Sequence, residues 1–168
     1  SNHLVIERKH NGHKAKYQWY KVPNQSYLQV FTPLAASLEN SSGGSEKKIK
    51  APLDYSKNQY LSDPLVRSIE ATEKEIFNYP SVKTTEQFGK NVFATWSKVN
   101  PGEKTTLTLD YRNRLPLPPQ ENTAYQFVFE KQAGSSSTYR FELSAPVGFV
   151  WQENNLPVFE YVSSDPPG

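Results

Sequence analysis

Hydrophobic and polar positions alternate with a period of two over much of this chain, the pattern of strands buried on one face. From Thr106 to Tyr111, Leu107, Leu109 and Tyr111 alternate with Thr106, Thr108 and Asp110. From Tyr27 to Thr32, Leu28, Val30 and Thr32 oppose Tyr27, Gln29 and Phe31, and Pro33 ends or bends the run. His3 to Arg8 is a shorter alternating run, followed by the turn dipeptide Asn11-Gly12. Val92 to Val99 is less regular, with Val92, Ala94 and Trp96 on one parity and Phe93 and Val99 on the other. That strand is either covered on both faces or bulged near Ser97. It reads as paired with the Thr106 run through Asn100-Pro101-Gly102-Glu103, where Pro101 presets φ and Gly102 supplies a positive φ, favouring a type II turn. Trp96 is expected in the core, since large aromatics dominate the interiors of sandwiches.

A second hairpin is expected further on. Tyr125, Phe127 and Phe129 alternate with Gln126, Val128 and Glu130, a small polar tip follows at residues 133–137, and Tyr139, Phe141 and Leu143 return. Pro146 and Gly148 mark another turn, and Val158 to Val162 makes a last strand. Residues 112–120 carry three prolines and read as a connection. Residues 39–48 are polar and small, a flexible exposed loop, and Ile49 to Tyr55 reads as a short strand. Ser62-Asp63-Pro64 signals a helix start, with Leu65, Ile69 and Ile76 roughly helically spaced, so one short helix is expected near 63–77. Residues 14–24 show no clear period. About eight strands separated by Pro/Gly turns predict a mainly β chain, an antiparallel β-sandwich of immunoglobulin-like general architecture. No internal repeat divides it, so residues 3–168 are expected to form a single domain.

Composition sharpens this in a few respects. The 168 residues suffice for one domain with a real core. Lysine and arginine total 19 against 17 acidic residues, a formal net charge of +2, and the basic residues are scattered. Nucleic acid is therefore not expected as a partner, because phosphate binding needs a concentrated basic patch. The absence of cysteine excludes disulfides, thiolate metal sites and cysteine nucleophiles. The chain also lacks methionine, so it is expected to be processed or excised from something longer, and Ser1-Asn2 reads as a cloning scar outside the fold. No apolar run approaches the roughly 20 residues of a membrane helix, so a membrane is expected only through an upstream anchor missing from this sequence.

The order of certain residues carries a resemblance. Glu86 with Gly89-Lys90, then Phe93 and Trp96, Pro101-Gly102-Glu103, Tyr111 and Lys131-Gln132-Ala133-Gly134 resemble the C-terminal extracellular region of an uncharacterised family of bacterial envelope proteins. The segment from His10 to Pro33 is similar to that family's strand, loop and Tyr-rich strand ending in proline. The likeness covers most of the chain. It implies a membrane-anchored parent protein with this β module outside the cell, and it implies no activity and no catalytic residues.

Candidate chemistry is sparse. His10 and His13 form an H-x-x-H pair across Asn11-Gly12, and two imidazoles at a turn are weak candidates for a shared metal unless a third ligand, such as His3, folds back to them. The plain alternative is a pair of exposed turn histidines, and no metal or other cofactor is expected. Tyr17, Trp19 and Tyr20 cluster within four residues of loop-like sequence. They are candidate ligand-facing aromatics for a sugar or a peptide, against the alternative of core packing. Glu70, Glu73 and Glu75 read as a solvated helix face with Arg67 and Lys74, and Glu86, Glu103, Asp110 and Glu121 are dispersed. A glycosidase needs two carboxylates at fixed separation across a cleft, and no spacing here selects such a pair. A lysine to asparagine or aspartate crosslink is open to such a chain, but no triad stands out either.

The expectation from sequence is a non-enzymatic extracellular module of a bacterial cell-envelope protein with a structural or interaction role, its partner a cell-surface protein or a polysaccharide. The alternatives are a carbohydrate-binding module acting through Tyr17, Trp19 and Tyr20, and an accessory domain to an upstream envelope-assembly enzyme.

Overall fold

The computed structural model describes residues 1–45, 61–114, 120, 124–130 and 137–164. Among them are nine strands, β1 (Asn2–Lys9), β2 (Asn24–Pro33), β3 (Ser37–Ser42), β4 (Lys74–Glu75), β5 (Val82–Gln87), β6 (Lys90–Val99), β7 (Lys104–Arg112), β8 (Thr138–Ser144) and β9 (Val158–Ser164), and one helix, α1 (Pro64–Glu70). The fold is mainly antiparallel β. Contacts divide the chain into two compact units, Ser1–Arg114 and Leu115–Gly168, where the sequence suggests one domain over residues 3–168. The division falls at the run containing Pro116, Pro118 and Pro119, the kind of stretch at which unit boundaries occur.

The first unit is a sandwich. A three-stranded sheet, in the order β1-β7-β3, faces a four-stranded sheet, in the order β2-β6-β5-β4. Leu107 and Leu109 from the first sheet meet Val82 and Phe93 from the second, and all four are buried. Leu4 and Ile6 on β1, and Leu28 and Val30 on β2, pack around them. These are the parities that the alternation predicts. Asn2 also belongs to β1, opposite Tyr111 and donating from its Nδ2 to the Tyr111 carbonyl at 3.3 Å, so the fold includes a residue set aside as a scar.

Several expectations are corrected here. β6 and β7 are both strands, yet they lie in different sheets instead of pairing. The Asn100 to Glu103 turn forms as expected, with Glu103 N–H donating to Asn100 O at 3.0 Å and Gly102 at φ +86°. Its outward hydrogen bonds go to β1's end: Gly102 N–H to His10 O at 2.8 Å, and His10 N–H to Glu103 O at 3.0 Å. β1 thus takes β7 as its partner and the turn crosses between layers. β6 pairs with β2 in one unbroken register from Asn24↔Val99 to Pro33↔Lys90, so it is not bulged, and residues of both parities from Asn91 to Thr95 are buried, so that stretch is covered on both faces. Val92 and Ala94, on its outer face, are buried because Phe31 and Gln29 on β2 and Thr85 and Lys83 on β5 flank them. Trp96 shares that outer face and is half-buried against half-exposed Tyr27, ring centroids 4.9 Å apart, instead of sitting in the core.

The helix is shorter than the expected 63–77. Asp63 caps it, accepting from Leu65 N–H at 2.7 Å and Val66 N–H at 3.1 Å. It stops because the Thr72 hydroxyl donates to Ile69 O at 2.7 Å and accepts from Glu86 N–H at 2.8 Å, tying the next turn to β5. Lys74 and Glu75 then pair with Thr84 and Lys83 as β4. Glu70, Glu73 and Glu75 therefore share no helix face. Residues 39–42, expected in a flexible loop, lie in β3, an edge strand with a register shift between Leu38 and Asn40. Tertiary contacts fix it: Asn40 Nδ2 donates to Asp110 Oδ2 at 3.0 Å, and Glu39 pairs with Arg112 at 2.8 Å. Residues 46–48 of that loop, the strand expected at 49–55 and residues 133–136 of the second tip lie outside the described residues.

Asp110 offers a test of this edge. Hydrogen bonds from His3 and then from Asn40 hold its carboxyl below the ordinary carboxylate value of 3.8. A lowered folded value means stability that is present above about pH 4 and lost as pH falls through the folded pKa. Asp110→Asn is expected to lower stability above about pH 4 and to flatten the acid limb below it, read by chemical denaturation at a series of pH values.

The second unit is smaller. β8 and β9 pair antiparallel from Thr138↔Ser164 to Ser144↔Val158, so β8 takes β9 as its partner and not the Tyr125 to Phe129 run. That run is not in a strand. It packs through its rings, Phe129 on Tyr139 at 4.9 Å and Phe127 on Phe141 at 5.5 Å, which keeps the antiparallel alignment of the expected hairpin without its ladder. None of the described residues of this unit is fully buried.

Candidate functional site

The loop between β1 and β2 displays the aromatic cluster that the sequence singles out. It contains two 3-10 turns, Asn11–Lys14 and Gln18–Lys21. His10 ties them down: Gly12 N–H donates to its Nδ1 at 2.9 Å, so Nε2 carries the hydrogen and donates to Val22 O at 2.9 Å. Gly12 permits the close approach, because a Cβ there would lie 1.9 Å from Tyr20 O. The Asn100 to Glu103 turn supports the loop through its bonds to His10 and through the His13 ring, which lies against Gly102.

Held this way, Tyr17, Trp19 and Tyr20 are exposed by 49%, 64% and 56%. They do not pack into a core. Tyr17 and Trp19 stack nearly parallel, centroids 4.5 Å apart with 7° between their planes. Tyr20 leans on Trp19 at 6.0 Å and 44°, and Lys16 Nζ lies 5.9 Å from the Tyr17 ring. The result is a supported, solvent-facing π surface with a cation at its margin. Such surfaces stack on the apolar face of a sugar ring or on planar peptide groups. Removing the imidazole in His10→Ala should cost about 1–2 kcal/mol and loosen the Tyr17 to Trp19 stack, measured as a lower melting temperature together with a shift in tryptophan emission.

The other candidates do not converge. Both ring nitrogens of His10 are engaged in holding the loop, which takes it out of an H-x-x-H metal pair with His13. His3 is turned to Asp110 instead. Among the described residues no group of three or more His, Asp or Glu side chains is placed to hold a metal. The carboxylates serve the scaffold: Glu73 pairs with Lys83, whose ammonium this hydrogen bond holds above its ordinary value, and Glu103 accepts from Asn100 Nδ2 at 2.8 Å. Glu121 lies outside the described residues. Lys83 and Lys104 each pair with a glutamate, Glu73 and Glu7, and not with the asparagine or aspartate that a crosslink requires.

The structure adds a concave surface in the second unit that sequence reasoning missed. It is an open trough of about 300 Å³, and seven of the nine described residues that line it are aromatic. Phe141 and Leu143 on β8 and Phe159 and Tyr161 on β9 form its floor, since Phe141↔Tyr161 and Leu143↔Phe159 are cross-strand pairs on one face. Tyr125, Phe127 and Phe129 line one side, and Trp151 and Glu153 complete it. The signal was visible as aromatics at odd positions in three separate runs, but the same pattern describes a hairpin core.

Among the described residues, no helix is long and apolar enough to cross a membrane. Comparison with known proteins finds no match to any family model, to any curated protein or to any solved structure.

Proposed function

We propose that this chain is a non-enzymatic interaction module of a bacterial envelope protein, working on the extracellular face, with Tyr17, Trp19 and Tyr20 as its contact surface. The observation that carries this reading is the exposure of those three rings on a loop held from beneath by His10, Gly12 and the Asn100 to Glu103 turn. Rings left in water by a sandwich that buries leucine and valine elsewhere mark a surface for a partner. The engagement of Glu73, Glu103 and Asp110 in scaffold contacts supports a binding role over a catalytic one. The envelope setting rests on the residue resemblance around Trp96, Pro101-Gly102-Glu103 and Tyr111.

A polysaccharide is the partner that the Tyr17 to Trp19 stack favours, because the outward face of a ring braced by a stacked neighbour matches the flat C–H face of a pyranose. The test is a glycan array probed with the intact chain and with Trp19→Ala. Binding that falls at least about ten-fold in the variant supports the polysaccharide, since ring removal costs more than about 1.4 kcal/mol at a stacking site. No binding by the intact chain removes the polysaccharide and leaves a protein partner. Binding that survives Trp19→Ala places the contact elsewhere and contradicts the proposal.

A further inference from the structure

The geometry points to the aromatic trough of the second unit as a binding site for a small organic ammonium ion of the trimethylammonium type, built from residues other than the Tyr17, Trp19 and Tyr20 surface. At about 300 Å³ it lies at the small end of ligand pockets. Its rings are inclined to one another rather than laid flat. Trp151 meets Tyr125 at 6.2 Å and 61°, and Phe159 at 6.3 Å and 56°. Inclined walls offer several π surfaces to one compact group, and a cation within about 6 Å of a ring face is attracted by the ring quadrupole.

Charge narrows the choice of occupant. Among the described residues, Glu153 is the one charged side chain lining the trough, and no ion pair engages it there. A carboxylate at the wall of an aromatic trough favours a cation over an anion. A sugar is a poorer match because the Trp151 indole N–H already donates to Leu143 O at 2.9 Å and is not open to a hydroxyl. A neutral hydrocarbon would cover the rings while leaving the carboxylate unpaired. A methylated ammonium satisfies both features: its methyl groups cover the rings and its charge meets Glu153. It is also more easily dehydrated than a bare ammonium.

The experiment is a calorimetric titration of the full chain with choline chloride and, in parallel, with 3,3-dimethylbutan-1-ol, which has the same shape without the charge. Saturable choline binding at least about ten-fold tighter than that of the alcohol is expected, the scale of a partly desolvated cation–π contact. Glu153→Gln, a change at an exposed position, and Tyr161→Leu, which keeps apolar bulk but removes a ring, should each weaken choline several-fold while circular dichroism stays unchanged. Equal affinity for the two compounds would show a merely apolar groove and overturn the proposal. So would the absence of choline binding, or binding indifferent to both substitutions. Sedimentation showing a dimer that Tyr161→Leu dissociates would make a second copy the occupant and overturn it as well.

Discussion

Leu109→Ala is expected to lower the stability of the first unit by about 3–5 kcal/mol. Leu109 is 1% exposed and packs with Leu107, Val82 and Phe93 between the two sheets, so truncation removes buried methyl groups and leaves a void that strands on both sides hold open. A unit of this size holds roughly 5–15 kcal/mol in total, so the change consumes a large share. The expected observation is a denaturation midpoint displaced strongly to lower denaturant at an unchanged slope. Val5 gives the matched control, on β1 in the same sheet but 51% exposed. Val5→Ala should fall within about 0.5–1 kcal/mol of the parent. Equal effects at the two positions would mean that the sheets do not face each other through Leu109.

Arg8→Ala should cost about 2–3 kcal/mol, a large effect for a residue that is only partly buried. Arg8 follows Leu4 and Ile6 on the inward parity of β1. Its guanidinium spans to the opposite sheet, donating from Nη1 to Ser97 Oγ at 2.8 Å and Ser97 O at 3.1 Å. From Nη2 it donates to Ser26 Oγ at 2.8 Å and to Asn24 Oδ1. Burial draws its pKa down from the ordinary arginine value, yet an arginine remains charged at neutral pH. These acceptors are neutral, and the planar fork lets one side chain serve β6 and β2 together. Arg8→Lys keeps the charge but not the fork, so it should recover less than half of the loss. Full recovery by lysine would show that charge, and not the two-strand bridge, is what matters.

The inward residues of β2 and β7 were legible because each strand buries one face and leaves the other wet, which writes burial directly into the alternation. β3 was not, since Leu38 to Ser42 contains one large apolar residue, and the strand exists through its pairing with β7 and the contacts of Asn40 and Glu39. The Pro101-Gly102 turn was legible as a turn, because Pro101 fixes its own φ and Gly102 freely takes the positive φ that the turn needs. Local geometry does not specify whether the following strand pairs beside its predecessor or crosses to the facing layer; hydrogen bonds to His10, ninety residues earlier, decide that. Trp96 reads as core from its size, and its outward position follows from strand parity with Val92 and Ala94. The exposed state of Tyr17, Trp19 and Tyr20 was left open by sequence, and it is the His10 and Gly12 contacts that settle it. The second unit defeats composition more fully. Its aromatics alternate as a core would, but among the described residues no second sheet lies in that unit to bury them.

The claim on which the functional reading turns is that the β1 to β2 loop presents its rings in a fixed arrangement. Amide order parameters for residues 17–20 measure this directly. Values near about 0.85, equal to those of β6 and β7, are expected for a preorganised surface, whereas values below about 0.6 would describe a flexible tether and contradict it.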